Sequence, residues 1–148
     1  LYESSERRQL EHRLIGGPGL GISILNKPTY SIRLMNAVVY DINRYRSSSF
    51  NLLGTHPDPT LYRWRYTTRL ITRKEITEHL TVGIDGWHQQ TIDELRDYRF
   101  RVDVNLDMKL ITSLSFRTAL NLFYESIVVS GREEMDALMS FGFTWIRN

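Results

Sequence analysis

Four histidines are the first residues to test for chemistry, because imidazole both ligates metals and moves protons near neutral pH. His12, His56, His79 and His88 stand on different segments, without the H-E-x-x-H spacing that brings two rings onto one helical face. His79, Asp85 and His88 share one arm of a hairpin and come nearest to a ligand set, although polar residues that merely line a surface or a lumen look the same. Hydrolysis of an ester or phospholipid needs a Ser or Asp nucleophile within reach of a histidine. Ser47, Ser48, Ser49 and His56 lie on the longest loop, where serine is common for turn formation alone. The glycine run from Gly16 to Gly21 lacks the Gly-Lys-Ser/Thr ending of a phosphate loop and suits a bent strand instead. With no cysteine, thiolate metal sites, thiol nucleophiles and disulfides are excluded. The expectation is a chain with no catalytic, metal-binding or cofactor-binding residues, with a lipid hydrolase as the enzymatic alternative.

Charge is the more informative resource. The 19 Lys and Arg nearly balance the 17 Asp and Glu, and they are spread along the chain rather than gathered into a basic run, so nucleic acid is not the expected partner. Mixed signs recur instead at alternate positions: Arg63, Arg65 and Arg69; Asp85; Arg99, Arg101, Asp103, Asp107 and Lys109; Arg117 and Glu125. Groups spaced in this way can pair across neighbouring strands and line the interior of a narrow barrel. They could also favour anions if water passed through it. A solvated outer surface is the blander reading of the same residues.

The elements that must position these charges are read from periodicity. In residues 98–110, Tyr98, Phe100, Val102, Val104, Leu106, Met108 and Leu110 fall on one face, while Arg99, Arg101, Asp103, Asn105, Asp107 and Lys109 fall on the other. A helix rotates about 100° per residue and cannot sort them that way. Six other strands follow the rule less perfectly. The first, roughly residues 8–25, is read as one long strand kinked at its glycines; a short helix over residues 5–14 is the alternative. Tight connections are expected at Asn26-Lys27-Pro28, Arg73-Lys74-Glu75 and Ile111-Thr112. Long ones are expected at residues 46–60, 90–96 and 129–134. Strict alternation of short and long loops is the habit of outer-membrane barrels, with short turns on the periplasmic side.

Alternation alone does not say which face is inside, since a soluble lipocalin-like barrel puts its apolar residues inward. Three features favour apolar residues outward. Tyr40, Tyr62, Trp64, Tyr66, Tyr98, Phe100 and Tyr124 lie toward the long-loop end of their strands. Tyr30, Phe116, Phe143 and Trp145 lie toward the short-turn end, with aliphatic residues between. Two aromatic belts around an aliphatic band match the two water–lipid interfaces. The opposite face carries both signs of charge. The strands also run to about a dozen residues, and a tilted span needs about 9–11. A hydrophobic fraction of 41% does not argue against this, because only alternate residues face lipid. No stretch approaches the roughly 18–20 apolar residues of a spanning helix.

These residues also carry a resemblance. Arg13-Leu14-Ile15-Gly16-Gly17-Pro18-Gly19-Leu20-Gly21, the hairpin Leu70-Ile71-Thr72-Arg73-Lys74, Asp97-Tyr98-Arg99 and the closing Phe141-Gly142-Phe143 resemble the salt-stress-induced outer-membrane proteins, a family defined by a domain of unknown function. The resemblance covers most of the chain from about Arg8 and implies an outer-membrane β-barrel with no established cofactor. Ile22 stands where members usually carry Tyr. The closing strand resembles the signal read by barrel-insertion machinery in Gly142 and Trp145, with Arg147 in place of an apolar residue.

The expectation is therefore an all-β, antiparallel up-and-down transmembrane barrel in a bacterial outer membrane, one domain over residues 1–148. Its partners would be membrane lipid and, through the long loops, other envelope proteins. Its role would be structural, docking or narrow conduction; a barrel of about eight strands is filled by its own side chains. Seven strands are one short of an even number. At least one further strand is thus expected upstream of Leu1, which would lie at the external end, with Asn148 on the periplasmic side; a turn hidden in the glycine segment is the alternative. A soluble barrel holding an apolar ligand is the alternative.

Overall fold

Perfect alternation over residues 98–110 yields a 14-residue strand, and the computed structural model, which describes residues 2–145, builds its whole framework from strands of this kind. In chain order these are β1 (Tyr2–Ser5), β2 (Leu10–Gly16), β3 (Gly19–Lys27), β4 (Tyr30–Tyr45), β5 (Ser49–Phe50), β6 (Gly54–Thr55), β7 (Thr60–Thr77), β8 (Leu80–Thr91), β9 (Tyr98–Ile111), β10 (Leu114–Glu125) and β11 (Met135–Trp145). The main sheet has the order β1-β2-β4-β7-β8-β9-β10-β11, every neighbouring pair antiparallel. Both β2 and β3 pair with β4, β2 along residues 40–45 and β3 along residues 30–37, so together they make one course of the sheet.

That course bends where the sequence requires it. A Cβ at Gly17 would stand 2.1 Å from the Val38 carbonyl oxygen, so only glycine lets the two backbones approach. Pro18 has no N–H to give the ladder, yet its carbonyl accepts from Val38 N at 3.1 Å, which holds the kinked strand against β4. The long kinked strand expected over residues 8–25 is thus present as β2 and β3. No short helix occupies residues 5–14: β1 adds a further short strand, and the turn back into β2 is closed by Gln9 with a positive φ of 54°.

The sheet is curled into a half-barrel. Arg13 on β2 reaches Glu125 on β10 although four strands lie between them in the sheet, and Arg99 on β9 reaches Asp41 on β4 across two. Only a concave wall brings such residues together. Its edges are not joined: among the described residues β1 pairs only with β2, β3 only with β4, and β11 only with β10.

Short and long connections alternate as expected, with one relocation. The second tight turn lies at Glu78-His79 rather than Arg73-Lys74-Glu75, because β7 continues for 18 residues to Thr77 and absorbs a register shift between Glu75 and Thr77. Arg73, Lys74 and Glu75 are exposed rungs near the rim of the sheet, and their polarity imitates a turn. The other tight turns lie at Pro28-Thr29 and Thr112-Ser113. Leu1, Arg147 and Asn148 lie outside the described residues.

Candidate functional site

The wall sorts its two faces by polarity. Arg13, Asp41, Asn43, Arg65, Asp97, Arg99 and Glu125 are buried, Asp41 and Arg99 wholly so. On the intervening positions Tyr62, Trp64 and Tyr66 keep about half of their surface exposed, and Met139, Phe141 and Phe143 more. The charges therefore occupy the concave interior, and the rings and aliphatic chains face out.

Near the long loops the interior charges form a closed layer. Asp41 on β4 accepts from Arg65 Nε at 2.8 Å and stands 3.0 Å from Arg99 Nη2. Arg65 grips the Asp97 carboxylate with Nη2 at 2.8 and 2.9 Å, and Thr91 Oγ1 donates to the same group at 2.7 Å. Arg63, half-buried, brings its Nε within 3.3 Å of Asp97. Glu125 accepts from Arg13 Nη2 at 2.5 Å and Arg8 Nη1 at 3.2 Å, and Arg99 Nη1 stands 3.5 Å away. Arg13 Nε also donates to Asn43, which in turn donates to Asp41 at 2.9 Å, and Gln89 accepts from Arg99 Nε at 2.6 Å. Buried ions are tolerable only when paired and hydrogen-bonded in this way.

Above this layer the inner face turns apolar. Leu10, Tyr45 and Leu61 pack with Phe50, Ile127 and Val129 from the long loops into a small core, partly covered by Leu53. Phe50 meets Tyr45 edge to face at 5.1 Å between ring centres. Two loops are strapped together over it: Asn51 N donates to the Val128 carbonyl at 3.0 Å, and Ser130 N to Ser49 at 2.9 Å. At the base of the same loop the Thr60 N–H donates to Asp58 at 2.7 Å, which holds that carboxyl below its ordinary range. The long-loop end of the interior is thus stopped by an apolar plug resting on a charged plate.

Below the plate the interior opens. A cavity of about 620 Å³ is lined by Arg8, Arg69, Trp87, Arg101, Asp103 and Phe123, among others. Here the pairs are local and partly hydrated: Arg69 with Asp85 (2.5 Å), Arg101 with Asp103 (2.8 Å) and Arg117 with Asp107 (2.5 Å). Lys109 is exposed near the short turns.

The structure thus divides the charges singled out in the sequence. Arg63, Arg65, Arg99 and Glu125 join the plate; Arg69, Asp85, Arg101, Asp103, Asp107 and Arg117 line the open half. The charges singled out in the sequence did not include Arg8, Arg13, Asp97 or Asp136, although Arg13 and Asp97 stand in the motifs of the resemblance and Asp136 lies on β11. Asp41 and Asn43 were visible as the polar face of β4 but not as the plate's centre. Arg8 closes the side of the plate, stacking 3.7 Å over Phe123 and donating to Asp136. A carboxylate on a loop edge and an arginine in a turn carry no periodic signal that could have marked them.

The outward rings form contacts along the wall. Tyr40 lies 5.0 Å from Trp64, Tyr98 and Phe100 stack on Tyr124, and Phe116 meets Phe143 at 5.2 Å near the other end. Tyr30 lies below Lys74, and Tyr62, Tyr66 and Trp145 are exposed. His88 also points outward, 6.2 Å from Tyr98, whereas Asp85 points inward to Arg69, so these two residues do not converge. Among the described residues no three acidic or histidine groups gather in a metal-binding arrangement. His56 Nδ1 lies 2.8 Å from the Asp58 carbonyl, and the Ser49 hydroxyl contacts Ser130.

The chain belongs to the family described as "Protein of unknown function, DUF481", whose profile matches residues 1–145. Comparison with curated proteins and with solved structures gives no match.

Proposed function

We propose that this chain is the wall of a β-barrel in the outer membrane of a Gram-negative envelope, with a structural or partner-docking role exercised through its long loops. The observation that carries this reading is the sorting of the two faces: arginine and carboxylate pairs inside, mostly rings and aliphatic side chains outside. Water-soluble monomers rarely expose contiguous apolar patches above a few hundred Å². Hydrocarbon accepts such a face, and the outward ring clusters at two depths suit its two interfaces. The strands β4, β7, β8, β9, β10 and β11 of the main wall, 11 to 18 residues long, reach or exceed the roughly 9–11 that a tilted span requires. A lipocalin-like barrel would need the same apolar residues pointing inward. The plug and plate favour docking over conduction, since an apolar cluster and a layer of buried ion pairs stand at the long-loop end of the described interior.

Fractionation tests this reading. The protein is expected to sediment with outer membranes, to require detergent for release, and to migrate faster on a gel when unheated than when boiled. Recovery in the soluble fraction without detergent would contradict it.

A further inference from the structure

The 620 Å³ cavity beneath the plate joins an apolar wall to arginines with donors to spare. One inward rung of the sheet reads Arg69 on β7, Trp87 on β8, Arg101 on β9 and Phe123 on β10. Trp87 and Phe123 lean together over the strand between them, edge to face with ring centres 5.8 Å apart. Leu138, inward on β11, adds an aliphatic side chain to the same cavity. The turn after β1 closes one side, with Arg7 Nη1 3.0 Å and Arg8 Nη2 2.5 Å from Asp136. Plate and plug stand at the long-loop end, so a ligand enters from the short-turn end.

The carboxylates on the cavity wall are already engaged. Glu3 lies 3.3 Å from Arg13, Asp136 is held by Arg7 and Arg8, and Asp103 accepts from Arg101 Nε at 2.8 Å and Asn121 Nδ2 at 2.6 Å. The arginines are less fully used. Arg101 grips Asp103 through Nε alone, and Arg69 grips Asp85 through Nε and Nη2. Both Nη atoms of Arg101 and Nη1 of Arg69 therefore have no acceptor among the described residues. Nearer the short turns the inward Arg33, Arg73 and Lys109 stand exposed without an ion pair among the described residues, against one inward carboxylate in that condition, Glu75. Such an excess of positive charge draws anions toward the entrance.

We propose that this cavity binds a small organic acid with a compact apolar body. Its carboxylate lies against the free Nη atoms of Arg101, a planar fork that matches two carboxylate oxygens, with Arg69 Nη1 beside it. Its body lies against Trp87, Phe123 and Leu138. An inorganic anion would use the arginines and leave the rings idle, and an uncharged apolar molecule would do the reverse. The volume falls within the roughly 300–1,000 Å³ of ordinary ligand sites, which likewise pair apolar walls with a few polar groups. The site lies on the charged face, so it stands whichever medium meets the other face, and fractionation leaves it untouched.

Titration with cyclohexanecarboxylate tests this. In the protein carrying Trp64→Phe and Trp145→Phe, Trp87 is the sole tryptophan of these 148 residues and reports from the cavity wall. A saturable change in its emission is expected, with matching one-to-one binding by calorimetry. Cyclohexanecarboxamide, which keeps the body and loses the charge, and acetate, which keeps the charge and loses the body, should each bind about tenfold more weakly or worse. Arg101→Gln should weaken the acid by about tenfold, whereas Arg117→Gln, another exposed pair but outside this cavity, should leave it unchanged. Equal binding of acid and amide, undiminished affinity in a folded Arg101→Gln protein, or no saturable change at Trp87 overturns the site. Should Arg101→Gln fail to fold, the comparison of acid with amide decides alone, since it needs no change at Arg101.

Discussion

At the long-loop end of the interior Arg99 and Asp41 have no exposed surface, while toward the short turns the side chains of Arg117 and Asp107 keep 61% and 35% of theirs. The residue types are the same and the spacing along the strands is the same. What differs is the covering. Phe50, Ile127 and Val129 fold over the upper charges and exclude water, and several pairs there join strands far apart in the sheet, Arg13 with Glu125 and Arg99 with Asp41. In the lower half Arg69, Arg101 and Arg117 each pair with a carboxylate on the same or an adjacent strand and remain partly exposed. An ion pair binds the fold together only where a lid has withdrawn its solvent.

Removing one member of the covered layer should have the largest effect. Asp41→Ala leaves Arg65 and Arg99 buried without their shared carboxylate, and a loss of about 3–5 kcal/mol in urea unfolding is expected. Next comes the lid: Phe50→Ala should cost about 3 kcal/mol and open residues 46–60 to protease. The outer face gives a contrast of another kind, since Val104→Arg should cost about 2 kcal/mol or more in a bilayer, with the penalty falling for the same change nearer either rim. Smallest is Arg117→Ala, an exposed pair worth about 0–1 kcal/mol. If Arg117→Ala proved as damaging as Asp41→Ala, the distinction between the two halves would fail.

Much of the frame was legible in the sequence because strand alternation is a local signal. Residues 98–110 announce both their strand and its two faces, and the kink at Gly17 and Pro18 is written in the residue types. The turn expected at Arg73-Lys74-Glu75 was misplaced because charged residues on the rim of a sheet resemble those of a turn. The plate was half legible. Arg65, Arg99 and Glu125 stand at alternating positions, but Arg8, Arg13 and Asp97 join them only when the sheet curls, and curvature leaves no mark on periodicity. The plug was invisible for a similar reason: Phe50 and Val129 lie in segments whose serines, prolines and glycines read as solvated loop.

Spin labels placed one at a time at Val104, Leu106 and Leu120, and at Asp103 and Asn121 beside them, test most directly whether the apolar face meets hydrocarbon. In bilayers the first three should collide preferentially with oxygen and be shielded from a water-soluble nickel reagent, while Asp103 and Asn121 should not show that lipid signature. Nickel access at Val104 and Leu106 equal to that at Asp103 would contradict the account.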